Sequence, residues 1–242
     1  MKKYRPSFVF IIILLIIWEI YVRTGSINIR ILPPPSFIFK DIFLHWSSLY
    51  PHIIQTLIET VIGFLVATVF GFVIAILLDT SPKINKTIYP LLIISQTIPI
   101  IALAPLLLLW FGFGILPKII IVVLYCFFPI TIAGADGLLQ TKKQYMKLLV
   151  SMNATYWQGL FLVRLPSSLP SFFSGLKIAA TYSVAGAIVG EFVGAYQGIG
   201  VYMQQAANSY SISLVFASIF LTIILSFIIL KIVIIIEGFY KY

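Results

Sequence analysis

Residues 53–78 read IIQTLIETVIGFLVATVFGFVIAILL, with Glu59 as the only charge. A lipid-spanning helix needs about 20 mostly apolar residues, and this block exceeds that. Its apolar side chains fall on every face. A soluble helix would instead confine them to one stripe at a 3.6-residue period, so lipid and neighbouring helices are the expected surroundings. Working outward, comparable blocks occupy 8–22, 88–111, 116–135, 170–193 and 215–236. The predicted fold class is an all-α integral membrane protein. It has six transmembrane helices in a single domain over 1–242, with the main cytoplasmic loop at 136–169. Composition agrees: 61% hydrophobic and 10% charged, against about 45–50% and ~25% in soluble domains. That excludes a soluble enzyme, a disordered chain and a fibre. The first block follows Lys2, Lys3 and Arg5 as a signal peptide would, but no small-residue cleavage site follows it, so it is read as a retained span.

The net charge of +9 lies between the apolar blocks, where it reports membrane orientation rather than nucleic-acid binding. With the N-terminus inside, Lys2, Lys3, Arg5, Lys83, Lys86, Lys142, Lys143, Lys147, Arg164 and Lys241 face the cytoplasm. Arg23, Arg30, Lys40 and Lys118 fall outside. Six spans then return the C-terminus to the cytoplasm. In the external segment 23–52, Leu32-Pro33-Pro34-Pro35 predicts a stiff, extended stretch. The external segment 195–214 carries Tyr196, Tyr202 and Tyr210, rings suited to the headgroup zone. The 136–169 loop reads as two short helices, near 143–151 and 155–162, with Pro166 and Pro170 breaking the pattern before the fifth span.

No catalytic constellation is visible. His45 and His52 have no Cys or carboxylate cluster beside them and read as structural; Cys126 reads as a packing residue. No metal site or cofactor is expected, and no G-x-x-x-x-G-K-[ST] phosphate loop occurs, so any pumping must draw its energy from elsewhere. Among ionisable groups in apolar blocks, Glu59 is expected near a helix end. Lys177 is expected to snorkel. Glu191 is open between lining a translocation path, bonding across helices and resting near the external surface. Ser95, Gln96, Pro99 and Pro105 interrupt the third span; Gln96 and Pro99 either border a central path or mark a kinked packing helix. Gly186, Gly190 and Gly194 share one helix face and predict close approach of another helix, in the same subunit or a second one; Gly63 and Gly71 make a weaker pair.

The stretch Asn153-Ala154-Thr155-Tyr156-Trp157-Gln158, followed by Arg164-Leu165-Pro166-Ser167-Ser168-Leu169-Pro170, resembles the EAA loop of permease subunits of bacterial ABC importers. The likeness extends through 173–179 (FSGLKIA), 188–194 (IVGEFVG), Ile98-Pro99, Ala104-Pro105-Leu106 and 110–114 (WFGFG). Together these look like the branch serving nitrate, sulfonates, taurine and the thiamine-precursor pyrimidine. The family loop usually reads E-A-A-x-x-x-G. Here Lys147 stands at the Glu position, Leu148 and Leu149 at the Ala positions and Asn153 at the Gly, where Asn tolerates the left-handed backbone a turn needs.

The resemblance implies a shared machine. A second permease subunit, in a homodimer, completes the pore; a cytoplasmic ABC ATPase dimer supplies energy; an extracellular substrate-binding protein delivers the solute. The short helix near 155–162 becomes the coupling helix, with Trp157, Leu160 and Phe161 as anchors and Pro166 stiffening its link to the fifth span. The implied solute is hydroxymethylpyrimidine, with sulfonates, taurine, nitrate or riboflavin as alternatives. A rival class, a stand-alone secondary transporter or channel, would need several buried carboxylates or a carbonyl filter; Glu191 is the one expected here. An intramembrane enzyme would show paired catalytic groups at membrane depth, and none are visible.

Overall fold

The computed structural model describes residues 5–25, 28–140, 145, 149, 151 and 153–240. Among these every regular element is a helix: α1 (Arg5–Thr24), α2 (Pro35–Leu44), α3 (Trp46–Thr80), α4 (Pro82–Ser95), α5 (Ile100–Phe111), α6 (Leu116–Leu139), α7 (Tyr156–Gly159), a π turn (Leu160–Arg164), α8 (Leu165–Gly194), α9 (Ile199–Asn208) and α10 (Ile212–Phe239). Four helical runs are long and apolar enough to cross a membrane: α3, α6, Tyr156–Gly194 and α10. The count reaches five if α4 and α5, bent by 95° at their junction, form one span. α1 is a further 20-residue apolar helix with Phe10, Ile13, Ile16 and Ile20 exposed. The expected helix near 143–151 falls largely on undescribed positions. Lys2, Lys3, Lys142, Lys143, Lys147, Leu148 and Lys241 lie outside the described residues.

The core is built on α6, which lies against α3 on one side and α8 on the other. Both contacts are made by glycine. A Cβ on Gly63 would stand 3.2 Å from the Ile119 carbonyl oxygen, and one on Gly71 2.8 Å from Ile130 Cγ2. On the other side, a Cβ on Gly175 would stand 2.7 Å from the Pro129 carbonyl oxygen. The corresponding approach is 3.2 Å to Val122 Cα at Gly186 and 3.1 Å to Lys118 Cα at Gly190. The glycine face therefore receives a helix of the same chain. Gly194, one turn on, faces the Leu108 and Phe113 side chains instead. In lipid, where apolar contact alone brings no gain over the acyl chains, such backbone proximity lets van der Waals packing hold helices together. Val122, Cys126, Ile130, Ala179 and Val184 fill the seam, all fully buried.

Several expectations are corrected. Pro166 and Pro170 do not break the chain: Tyr156–Gly194 is one helical run of 39 residues. The Leu165 N–H reaches back five residues to the Leu160 carbonyl, and this wide π turn precedes Pro166 in the first turn of α8. A proline there or at 170 removes single bonds, whereas uncoiling would expose many backbone groups in apolar surroundings. The extended proline stretch is confined to Pro33 and Pro34, because Pro35 opens α2, a position where its missing N–H costs nothing. Ser36, next along, donates to Glu19 of α1 through both its backbone N–H (3.0 Å) and its hydroxyl (2.7 Å). The second expected span is part of the longer α3, and segment 195–214 contains α9. Tyr202 turns inward there, packing its ring at 5.2 Å from His52, while Tyr196 and Tyr210 stay exposed. The break in the third span is as expected.

Replacing Gly175 by Val is expected to lower stability by about 1–3 kcal/mol through overpacking against α6. Gly238→Val, where nothing lies within 4 Å of the added carbon, serves as the control. Thermal unfolding in detergent should separate the two.

Candidate functional site

At the end of the bundle where α3 and α6 begin and α8 ends, polar groups from four helices converge below the surface. Glu59 and Glu191 are both buried. Gln55 Nε2 donates to Glu59 Oε1 at 2.8 Å, and Lys118 Nζ lies 3.9 Å from the same oxygen. Glu191 accepts from Thr56 Oγ1 at 2.6 Å and from the Gly200 N–H at 2.6 Å. Thr56 in turn receives the Ile199 N–H at 2.8 Å. The Gly198 N–H points at His52 Nδ1 from 3.1 Å. Gly198 has φ +137 and its α-carbon abuts the Glu191 carboxylate, so neither its backbone nor its space admits a side chain. The two glutamates interact electrostatically, and Lys118 is the cation beside Glu59.

Glu59 is buried between helices near the start of α3, and Lys118 is buried in the first turn of α6. The physical reason is mutual: a buried charge is tolerable only when paired, and each supplies the other. Of the three openings left for Glu191, the geometry is that of bonding across helices. Lys177, partly exposed, reaches Glu237 in the last turn of α10, with Nζ 3.1 Å from Oε2. Beside this cluster opens a cavity of about 380 Å³ lined by Gln55, Phe113, Gly114, Ile115, Lys118, Tyr196 and Gln197. Gln96 and Pro99 are elsewhere, at the α4–α5 bend. Gln96 is exposed there and borders a cavity of about 260 Å³ with Ile100, Tyr125, Phe128 and Tyr182. Glu191 lines neither cavity, so the three expected path residues do not meet at one place.

The opposite end of the bundle carries the 153–164 segment. Asn153 has φ +50, the left-handed conformation expected of it. Thr155 caps α7 with a reciprocal box: its hydroxyl accepts the Gln158 N–H, and the Gln158 side chain accepts the Thr155 N–H at 2.8 Å. Ala154 N–H bonds the Leu149 carbonyl at 3.0 Å. Trp157 and Phe161 are 57% and 59% exposed and stack at 6.0 Å. Leu160, expected as a third anchor, is fully buried against its own chain. Tyr156 and Arg164 both reach Asp79, the penultimate residue of α3: Tyr156 Oη donates to Oδ2 at 3.1 Å and Arg164 Nη2 donates to Oδ1. Nothing local in sequence announced the pairings of Glu59 with Lys118 or Asp79 with Arg164. Their only signal was the rarity of charge in apolar blocks.

The profile of the family described as the binding-protein-dependent transport system inner membrane component matches residues 67–242. The chain belongs to this family. Its relatives are ABC transporter permeases. A probable ABC transporter permease protein of Haemophilus influenzae is 39% identical over 214 residues, covering 88% of this chain and 87% of its own. The formylaminopyrimidine transport permease protein ThiX of Halalkalibacterium halodurans is 38% identical over 212 residues, covering 88% and 85%. The riboflavin transport system permease protein RibX of Chloroflexus aurantiacus is 32% identical over 211 residues, covering 86% and 79%. Among solved structures, the MetNI methionine ABC transporter in an inward-facing conformation matches with a TM-score of 0.72 at 22% identity, over 82% of this chain and 98% of that one. That likeness shows the fold. The resemblance read from the EAA-type loop and its flanking motifs thus holds at the level of the family and its pyrimidine, sulfonate and taurine branch.

Lys118→Met leaves the buried Glu59 without its cation and is expected to cost about 3–5 kcal/mol. The double change Glu59→Gln with Lys118→Met should recover more than half of that. An unaltered unfolding temperature for Lys118→Met would show that the pair contributes nothing.

Proposed function

We propose that this ABC transporter permease forms half of the pore of an importer for a small planar nitrogen heterocycle, with hydroxymethylpyrimidine as the preferred solute. In this reading α1 and the bent α4–α5 unit complete six spans, and both termini are cytoplasmic. A second copy completes the pore, and the 153–164 segment sits in a groove of a separate ATPase. The solute arrives from a binding protein at the end bearing Lys118 and Glu191. The observation that carries the reading is the exposed Trp157–Phe161 pair on a capped helix at the EAA position of a chain from this family. Two stacked apolar rings left exposed on a short helix make a docking anchor. The segment before Asn153 lacks the family Glu at Lys147, so docking rests on this aromatic pair. The chain contributes a path and a mechanical link; the energy comes from the partner, because no phosphate loop is present in the sequence.

The solute class is supported by the relatives named for formylaminopyrimidine and riboflavin, which are 38% and 32% identical. Those named for aliphatic sulfonates in Bacillus subtilis and for taurine are 26% and 25% identical. The cavity beside Lys118 offers two amides, Gln55 and Gln197, between the Phe113 and Tyr196 rings, a donor–acceptor set with stacking faces for a flat heterocycle. Its cation is already balanced by Glu59, which favours a neutral solute over an anion. Against a stand-alone ion-driven transporter stands the engagement of both carboxylates inside the fold, Glu191 by Thr56 and Gly200 and Glu59 by Gln55 and Lys118.

A tagged chain expressed with its ATPase should bring that ATPase down. Trp157→Ala combined with Phe161→Ala should reduce recovery about tenfold or more, as loss of a hot-spot pair does. In proteoliposomes with the binding protein, labelled hydroxymethylpyrimidine should accumulate in preference to taurine. Unchanged recovery and uptake in the double variant would defeat the coupling role, and preferential taurine uptake would defeat the solute assignment.

A further inference from the structure

Resting on the coupling role just given, we propose that Asp79 is a positioning residue that makes α3, and not only α8, the carrier of motion from the ATPase. The 153–164 segment is covalently continuous with α8, so α8 must follow it. What the structure adds is a second grip. Both oxygens of Asp79 are taken, one by Tyr156 at the start of the run and one by Arg164 at its end. The Asp79 and Arg164 side chains are 1% and 14% exposed, so water does little to loosen the pair. Eight residues of regular α-helix would place Tyr156 and Arg164 about 80° apart around the axis, at 3.6 residues per turn. The π turn between them underwinds the run and reduces that separation, so both can close on one carboxylate. Wide turns of this kind persist where a site needs the altered register.

The far end of α3 explains why this grip matters. Thr56 there holds Glu191 of α8 and the N-terminus of α9, and Glu59 holds Lys118 of α6. A displacement delivered at Asp79 therefore reaches the opposite mouth through one rigid helix. The Trp157–Phe161 tip, the Asp79 clamp and the Thr56–Glu191 contact lie along a single mechanical line.

The test is independent of the solute. In a Cys126→Ala background, Asn208→Cys on α9 is spin-labelled in the assembled permease–ATPase complex, and the distance between the two copies is read with and without ATP. ATP is expected to switch that distance in the parent. Asp79→Asn should cut the switched fraction about tenfold, and Tyr156→Phe about threefold, the size of one ordinary, partly exposed hydrogen bond. ATPase content should stay at the parent ratio in both. Switching at the parent level in both variants overturns the clamp. If Asp79→Asn is not recovered from membranes, Tyr156→Phe, which removes a single oxygen, decides alone. If Trp157→Ala sheds the ATPase while Asp79→Asn and Tyr156→Phe switch normally, the docking role stands and the clamp falls. If the parent recruits no ATPase, both fall.

Discussion

The contact on which this molecule depends is the approach of two helix backbones to α6. Gly63 and Gly71 bring α3 against one side, and Gly175, Gly186 and Gly190 bring α8 against the other. Lipid removes the usual reward for gathering apolar side chains, so cohesion falls to packing density and to internal polar bonds. The glycines supply the first. They also make the second possible. With α6 seated directly between α3 and α8, side chains as short as Thr56 can bridge helices, and Lys118 can stand beside Glu59. The polar cluster is thus a product of the glycine seam.

The two ends of the bundle are built on different physics. One end is a buried network in which charge meets charge, amide, hydroxyl and backbone N–H groups. The other keeps its polar clamp buried but leaves apolar rings exposed. A buried, cross-bonded network resists deformation, whereas an exposed aromatic pair invites a partner. That asymmetry favours a molecule whose ends are coupled but do different work. The family relationship gives this asymmetry its functional meaning.

Much of the fold was legible in the sequence because lipid selects composition directly. Blocks such as 53–78 and 215–236 need no packing partner to be recognised. The bend at Gln96–Pro99, the turn at Asn153 and the glycine face of α8 were legible too, since each is a local property of residue type. What escaped were relations between distant residues. Glu59 gives no local hint of Lys118, nor Asp79 of Arg164, because pairing depends on helix register. Pro166 and Pro170 misled for the opposite reason. Their local preference is to end a helix, and the cost of bare backbone in an apolar setting overrides it. Leu160 shows the same limit on a smaller scale: an apolar residue on a short helix cannot announce whether it faces a partner or its own core.

The length of α3 has one more consequence. Its 35 residues make a rod about 52 Å long at 1.5 Å per residue, against a hydrocarbon layer of about 30 Å. Some of the rod must stand clear of the acyl chains. An arm of that length turns small angles into large excursions: a swing of about 5° about one end moves the other by about 4–5 Å at this rise per residue. Leverage of that order is comparable to the width of a small solute, so in the coupling role proposed above a modest rotation at the Asp79 end would give a usable displacement at the Thr56 end.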